Sequence, residues 1–327
     1  MEYRKVQVTG RGTYIVSLPK KWVEEQGIKR GAPLSMVELL DGALLLIPEG
    51  KKRDMRRVVS FENDMDEENI VRALISAYLG GASTIVIENV THRVRCAAKR
   101  FSDMVLGVEI VEDTGKCIVI QDLSDTLELP QDTGIRRMHS VVRSMHDDVI
   151  RGIEYGNNDL LQDAVLRDRL VNRLYWLILK HHVLVLKNPS LFLGGEPIRS
   201  YYSTMVARTL ERIGDHAKNI ARFCIDKGFY VKKSVLNLWS DALQIMDRAV
   251  NAYLRIDPKN ATEVIERAEK CVDSMILGDD IPYPIREGIR RILLYSEDIC
   301  ECAITVSYTH LRAHETEADL VCRLLLE

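Results

Sequence analysis

Two carboxylates, Glu211 and Asp215, lie four residues apart in a segment whose apolar residues recur at helical spacing. Residues four apart share one face of a helix, and two like charges there repel each other by roughly 0.2–0.5 kcal/mol. The pair therefore needs a cation, either a metal ion or a basic side chain of Arg208, Arg212 or Lys218. Both acids lie about 120–160° from the centre of the apolar stripe on a helical wheel, so we expect them to face solvent.

The same segment carries a longer motif. Residues 210–221 read Leu-Glu-Arg-Ile-Gly-Asp-His-Ala-Lys-Asn-Ile-Ala, and this run resembles the signature helix of the PhoU family of phosphate-uptake regulators. The resemblance implies an all-α pair of similar three-helix bundles. It also implies that Glu/Asp-x-x-x-Asp pairs of this kind are associated with metal clusters on the protein surface.

The chain from residue 133 to residue 305 has a helical period and contains an internal repeat of a helical hairpin plus one helix. The first trio of helices is predicted over residues 133–155, 159–187 and 199–228. The second trio is predicted over residues 230–256, 259–277 and 284–305.

Acidic positions recur in both trios, with two departures from the family pattern. Asn172 and Leu294 stand where acids would be expected, and Leu294 should weaken the second site because it offers no oxygen. Oxygen ligands suit Mg, Mn or Fe, and the cofactor implied by the resemblance is a divalent or ferric ion (Fe, Mn, Mg or Zn). The predicted metal ligands are Asp168, Glu211, Asp215, Glu269, Asp273 and Asp298.

The first 50 residues are predicted to form short strands around one short helix. Strands over residues 4–9 and 13–18 should form one hairpin. Strands over residues 33–40 and 43–47 should form a second, because the Asp-Gly pair between them is a strong hairpin signal. A unit of this size buries too little surface to be stable alone, so we expect it to dimerise.

A Leu-Pro-Lys-Lys-Trp run at residues 18–22 precedes Gly-Ile-Lys-x-Gly at residues 27–31. Together they resemble the AbrB/SpoVT/MazE swapped-hairpin DNA-binding domain. The resemblance implies that a dimer contacts DNA phosphates through basic side chains. The alternative is that these side chains are merely solvated and that the unit only dimerises. The candidate DNA-binding residues are Arg4, Lys5, Arg11, Lys20 and Lys21.

Residues 51–125 are predicted to form a small α/β domain with the order β-α-β-α-β-β. This segment contains no glycine-rich phosphate loop and no pairing of a nucleophile with a base. His92 and Cys96 share a helix face, but such a pair is usually structural. We interpret the domain as a spacer or as a sensor whose ligand the sequence does not identify.

Composition bounds the class of protein. The chain has 327 residues and a net charge of −3, so any contact with DNA must come from a local basic patch. No apolar run approaches the length of a membrane span, and the N-terminus carries no apolar signal core. The seven cysteines form no Cys-x-x-Cys pair, which favours a reducing cytoplasm and buried thiols.

Residues 306–327 resemble a translated sequencing adapter rather than a continuation of the repeat. We therefore expect them to be a non-native tail. On this interpretation, their removal would leave the thermal midpoint of the protein nearly unchanged.

The predicted fold class is multidomain α+β. Its predicted domains are a DNA-binding and dimerisation domain at 1–50, an α/β domain at 51–125, PhoU-like bundles at 128–228 and 229–305, and the tail at 306–327. By resemblance to archaeal regulators, we expect a cytoplasmic homodimer that regulates phosphate uptake. Its expected partners are promoter DNA and a phosphate ABC transporter ATPase or a signalling kinase. The alternatives are a metal-binding scaffold or an adaptor of a phosphate transporter, neither of which binds DNA, and a metal-dependent hydrolase.

Overall fold

The computed structural model describes residues 3–10, 12–38, 42–48, 55–124, 130–187, 197–228, 231–273 and 281–324, with side chains up to residue 309. The chain divides into two compact units, Met1–Asp54 and Met55–Glu327. A small N-terminal β-rich region and a larger helical region confirm the predicted fold class. None of the described helices combines the length and the apolar character that a membrane span requires.

Two antiparallel hairpins form the β structure of the first unit. Strand β1 (Gln7–Thr9) pairs with β2 (Thr13–Ile15), and β3 (Leu34–Glu38) pairs with β4 (Leu44–Pro48). Both predicted strand pairings are therefore confirmed within a single chain. An exchange of hairpins between two copies stays a prediction.

Helix α1 (Lys20–Gln26) connects the two hairpins. It ends at Gly27, whose φ of 65° lies in the left-handed region that glycine adopts without strain. Among the described residues of this unit, only Val37 is buried. Val8 and Tyr14 lie directly opposite each other in the first hairpin, and both are exposed. A single copy of the unit thus has almost no core.

The second unit begins with a four-stranded sheet that packs against two helices. The strands lie in the order β5-β6-β8-β7, with β5 and β6 parallel and the other pairs antiparallel. This is the predicted β-α-β-α-β-β order. Its elements are β5 (Arg56–Ser60), α2 (Glu67–Leu79), β6 (Thr84–Glu88), α3 (His92–Met104), β7 (Val108–Asp113) and β8 (Cys117–Asp122).

Side-chain caps determine where the two helices of this domain begin. The Asp66 carboxylate accepts the backbone N–H of Asn69 at 2.7 Å, and the Thr91 hydroxyl accepts that of Val94 at 3.3 Å. Each bond satisfies a backbone donor that the first turn of a helix leaves free. The helices then bury their apolar faces against the sheet.

The rest of the second unit consists of two consecutive trios of helices. Within each trio all three helices contact one another, and α6 also packs along α9. The two trios share one apolar core, and they show the repeat predicted from the sequence. The six helices are α4 (Gln131–Tyr155), α5 (Asn158–Lys187), α6 (Pro197–Lys227), α7 (Lys233–Arg255), α8 (Pro258–Asp273) and α9 (Tyr283–Leu324).

The predicted end of the last helix at Thr305 is wrong, because α9 continues to Leu324. The added segment contains no proline or glycine, and its Leu, Ala, Glu and Arg residues favour helix. The other described helix ends of the two trios lie within three residues of their predicted positions. The predicted end of α8 at residue 277 lies outside the described residues.

The interpretation of residues 306–327 as an adapter sequence stays a prediction, but the structure changes the expected result of removing them. Val306 is only 1% exposed and belongs to the helical core. Truncation after Thr305 should therefore lower the free energy of unfolding by about 1.5–3 kcal/mol, the value of burying one such side chain. Urea titration measures this change.

A truncation after Thr309 is the matched control, because it keeps both Val306 and the buried Ser307. It should unfold at nearly the same urea concentration as the full chain. Equal losses in the two truncations would show that the stabilisation comes from residues beyond 309.

Candidate functional site

Helices α5 and α6, which pack against each other, carry the three predicted metal ligands of the first bundle. Asp168 lies on α5, and Glu211 and Asp215 lie one turn apart on α6. Lys218 follows on α6, with its Nζ 3.0 Å from Asp168 Oδ1 and in contact with Asp215 Oδ1. Lys218 thus supplies the cation for Asp215, and Arg208 pairs with Glu211.

The expectation that both acids of α6 face solvent is wrong for Glu211, and Asp168 on α5 is covered as well. The exposed fraction of the side chain is 12% for Glu211 and 13% for Asp168, against 39% for Asp215. A helical wheel reports only the angle to the helix's own apolar stripe. Here α5 packs beside α6 and covers the flank that the wheel assigns to solvent.

Glu211 has the least well satisfied carboxylate of this group. Burial, together with the neighbouring charge of Asp215, raises the pKa of Glu211. Arg208 opposes this shift, since its Nη1 lies 3.1 Å from Glu211 Oε2. That ion pair lacks hydrogen-bond geometry, so the buried Oε2 has no hydrogen bond among the described residues.

Both Asp168 oxygens have partners. Lys218 contacts Oδ1, and the Nδ2 of Asn172 donates a hydrogen bond to Oδ2 at 3.1 Å. Asn172 therefore directs its amide nitrogen, and not its oxygen, towards this carboxylate. Although burial works against the charge of Lys218, hydrogen bonds to Asp215 and Asp168 raise its pKa overall.

The predicted ligands of the second bundle are more open. Glu269 and Asp273 on α8 and Asp298 on α9 are all exposed. Burial raises the pKa of the neighbouring Glu297, and the charges of Glu269, Asp298 and Glu301 raise it further. Among the described residues, none of the three predicted ligands forms an ion pair.

Asp298 combines an exposed side chain with a pKa above its ordinary value. Partial loss of water around the carboxyl raises this pKa, and Arg212 and Arg291 act in the opposite direction.

No three His, Cys, Asp or Glu side chains lie close enough to share one metal ion in the part of the chain that the structure describes. The six predicted ligands and the identity of a metal therefore stay predictions of the resemblance.

The predicted DNA-binding residues lie on an open surface. Lys20 and Lys21 begin α1 with side chains that are 89% exposed, and Arg4 and Lys5 before β1 are exposed as well. Arg11 lies outside the described residues. Lys5, Lys20 and Lys21 are therefore accessible to phosphate groups.

Glutamates on the next turn of α1 face both lysines. The Nζ–Oε1 distance is 3.7 Å between Lys20 and Glu24 and 3.9 Å between Lys21 and Glu25. Exposed pairs of this kind contribute at most about 1 kcal/mol, so a DNA phosphate can compete with them.

Sequence reasoning missed two further basic residues of this unit. Lys29 and Arg30 precede β3 and are both exposed. They lie inside the Gly-Ile-Lys-x-Gly segment that carries the resemblance. The basic residues of that segment could therefore have been predicted as candidates from the sequence.

Family models match the two parts of the chain that carry the motifs. Residues 135–224 match the PhoU domain, and residues 7–54 match Antidote-toxin recognition MazE, bacterial antitoxin. These matches confirm both family resemblances over the matched residues. The PhoU match spans the helices that hold Asp168, Glu211 and Asp215, and it ends before the second trio.

Among solved structures, the chain is similar to the phosphate transport system regulatory protein PhoU from Streptococcus pneumoniae. The identity is 13% and the TM-score 0.44, and the alignment covers 53% of this chain and 91% of that one. No protein of curated function matches the chain.

Proposed function

We propose that this protein is a dimeric, DNA-binding regulator of phosphate uptake that acts in the cytoplasm and is not an enzyme. The observation that carries the proposal is the presence of a PhoU domain and a MazE-type domain in one chain. The PhoU domain supports a role in phosphate homeostasis. The MazE-type domain supports contact with DNA.

Dimerisation through the first unit is supported by its missing core. Val8, Tyr14 and other apolar side chains of this unit are exposed. Val37 is the one residue that is buried among the described residues of the first unit. Burying such surface against a second copy is favourable in water. A dimer would also present two sets of the basic residues to one DNA duplex.

The proposal predicts DNA binding that weakens steeply with salt. Each phosphate contact releases condensed counterions, so the logarithm of the binding constant falls linearly with the logarithm of the salt concentration. Replacing Lys20 and Lys21 with alanine should weaken binding and reduce this slope by about one unit for each phosphate that is no longer bound. Fluorescence anisotropy of a labelled duplex of about 30 bp over a salt series measures both effects.

Lys99→Ala is the matched control, because Lys99 is an exposed lysine on α3 outside the first unit. It should bind with the wild-type slope. If the wild type and the Lys20→Ala/Lys21→Ala variant bound equally at every salt concentration, α1 would not form the DNA contact.

The second candidate is an adaptor that touches a transporter ATPase or a signalling kinase and does not bind DNA. Glu24 and Glu25 favour it, since they partly neutralise the two lysines, and so does the net charge of −3. Such an adaptor would work at the periphery of the membrane. It predicts no salt-dependent DNA binding by the wild type, so the same titration separates the two functions.

A further inference from the structure

The space between Asp168 and Asp215 is filled by the charged end of a side chain from the same chain. A metal ion there would need oxygen ligands at roughly 2.0–2.6 Å. The structure instead places the Lys218 ammonium 3.0 Å from Asp168 and in contact with Asp215. Lys218 lies between two helices and is only 16% exposed, unlike a lysine in an ordinary surface ion pair.

We infer that Lys218 takes the place of the metal ion in the first bundle, so that this carboxylate site binds no divalent cation while the lysine is present. A divalent ion would have to displace the ammonium from both aspartates. It would also have to displace the amide of Asn172 from the second oxygen of Asp168. The residues present therefore do not fit the metal cluster that the PhoU resemblance implies.

Charge balance supports the same conclusion. Asp168, Glu211 and Asp215 carry three negative charges when ionised, and Lys218 and Arg208 together contribute two positive ones. One negative charge of the group is then left without a partner. A divalent ion bound beside Lys218 would lie close to the ammonium and would be repelled by it, with only that one charge to balance its own two.

The inference has a structural consequence for the helix pair. The Lys218 ammonium on α6 pairs with Asp168 on α5 and so connects the two longest helices of this bundle. Because this cation is part of the chain, it is present in every copy of the protein. The packing of α5 on α6 then does not depend on metal supply. Carboxylates that lack such a lysine would need a metal for the same contact.

Equilibrium dialysis of the full chain against MnCl2 tests the inference. Lys218→Met removes the ammonium that lies between the Asp168 and Asp215 carboxylates and leaves this pair without a cation, so the variant should bind one more Mn²⁺ per chain than the wild type. Its thermal midpoint should rise with Mn²⁺ relative to EDTA by more than that of the wild type, because a ligand that binds only the folded state stabilises it. Adding Asp168→Asn to Lys218→Met should abolish the gain.

Lys227→Met is the matched control, because Lys227 is an exposed lysine in the last turn of α6. It should bind as much Mn²⁺ as the wild type. Any Mn²⁺ held by the second bundle would appear in all variants and cancel in the comparison. If Lys218→Met does not fold, Lys218→Gln provides the same comparison with a side chain that can still donate a hydrogen bond.

Two results would overturn the inference. Loss of bound Mn²⁺ from the wild type on replacing Glu211 with glutamine and Asp215 with asparagine would show that a metal resides there beside Lys218. Unchanged Mn²⁺ binding in both Lys218→Met and Lys218→Gln would show that these carboxylates form no metal site even when vacated.

Discussion

Replacing Lys180 with methionine should lower the free energy of unfolding by about 3–5 kcal/mol, as expected when one partner of a buried ion pair is removed. Lys180 on α5 is 2% exposed, and its ammonium contacts the buried Asp122 carboxylate at the end of β8. It also donates to the Ala82 carbonyl at 3.2 Å and lies 3.9 Å from the centre of the Tyr78 ring. Burial lowers the pKa of Lys180, and Asp122 opposes this shift.

This ion pair holds the α/β domain against the first bundle, so the variant should weaken the packing between them. Trp176 on α5 packs against the core of the α/β domain, and its fluorescence during urea unfolding should report the change. Arg169→Met removes an exposed basic side chain from the same helix and should change stability much less.

A double-mutant cycle separates the pair from its surroundings. Lys180→Met combined with Asp122→Leu should be far less destabilising than the sum of the two single variants, because no buried charge is left alone. Additive effects would contradict the assignment, as would a destabilisation below about 1 kcal/mol in the single Lys180 variant.

Lowering the pH from 7 to 5 should cost the protein roughly 2 kcal/mol of stability through His146 alone. Burial lowers the pKa of this histidine from 6.5 to about 3. As the pH falls below 6.5, the unfolded chain binds a proton at His146 and the folded chain does not. The stabilisation is therefore fully present above pH 6.5 and is lost at about 1.36 kcal/mol per pH unit towards pH 3.

The hydrogen bonds of the His146 ring explain why the folded state does not bind this proton. Trp239 Nε1 donates to His146 Nδ1 at 3.2 Å, so that nitrogen acts as an acceptor and must be unprotonated. His146 Nε2 donates to the Ile213 carbonyl at 3.0 Å. Both nitrogens of the neutral ring are thus satisfied, and protonation would place a second N–H against the indole N–H.

Urea unfolding of the wild type and of His146→Gln at pH 7 and pH 5 measures the effect. The variant should be less stable at pH 7 but should lose about 2 kcal/mol less than the wild type between the two values. His92→Gln, at an exposed position on α3, should keep the wild-type dependence. Burial also lowers the pKa values of His182 and His216, and their contribution remains in both proteins. Equal pH dependence of wild type and His146→Gln would contradict the prediction.

Local signals predicted most of the elements, because each of them acts within a few residues. Gly27 and Gly156 end α1 and α4 in the left-handed conformation that their positions imply. Periodicity located both trios of helices, and the motif around Glu211 led to the domain that the family model matches. The continuation of α9 beyond Thr305 also follows a local signal, because the Leu, Ala, Glu and Arg residues of that segment favour helix.

By itself the sequence determined the helical repeat, the two hairpins, and the requirement of Glu211 and Asp215 for a nearby cation. Two of the basic side chains that the sequence offered meet this requirement within α6 itself, since Arg208 pairs with Glu211 and Lys218 with Asp215. Tertiary structure decided that Lys218 also binds Asp168, fifty residues away in the chain, because α5 packs on α6. It likewise decided that Glu211 is largely buried, and that Lys180 pairs with Asp122 across 58 residues. Burial and long-range charge pairing depend on which helix lies alongside which, and neither spacing nor periodicity within one helix contains that information.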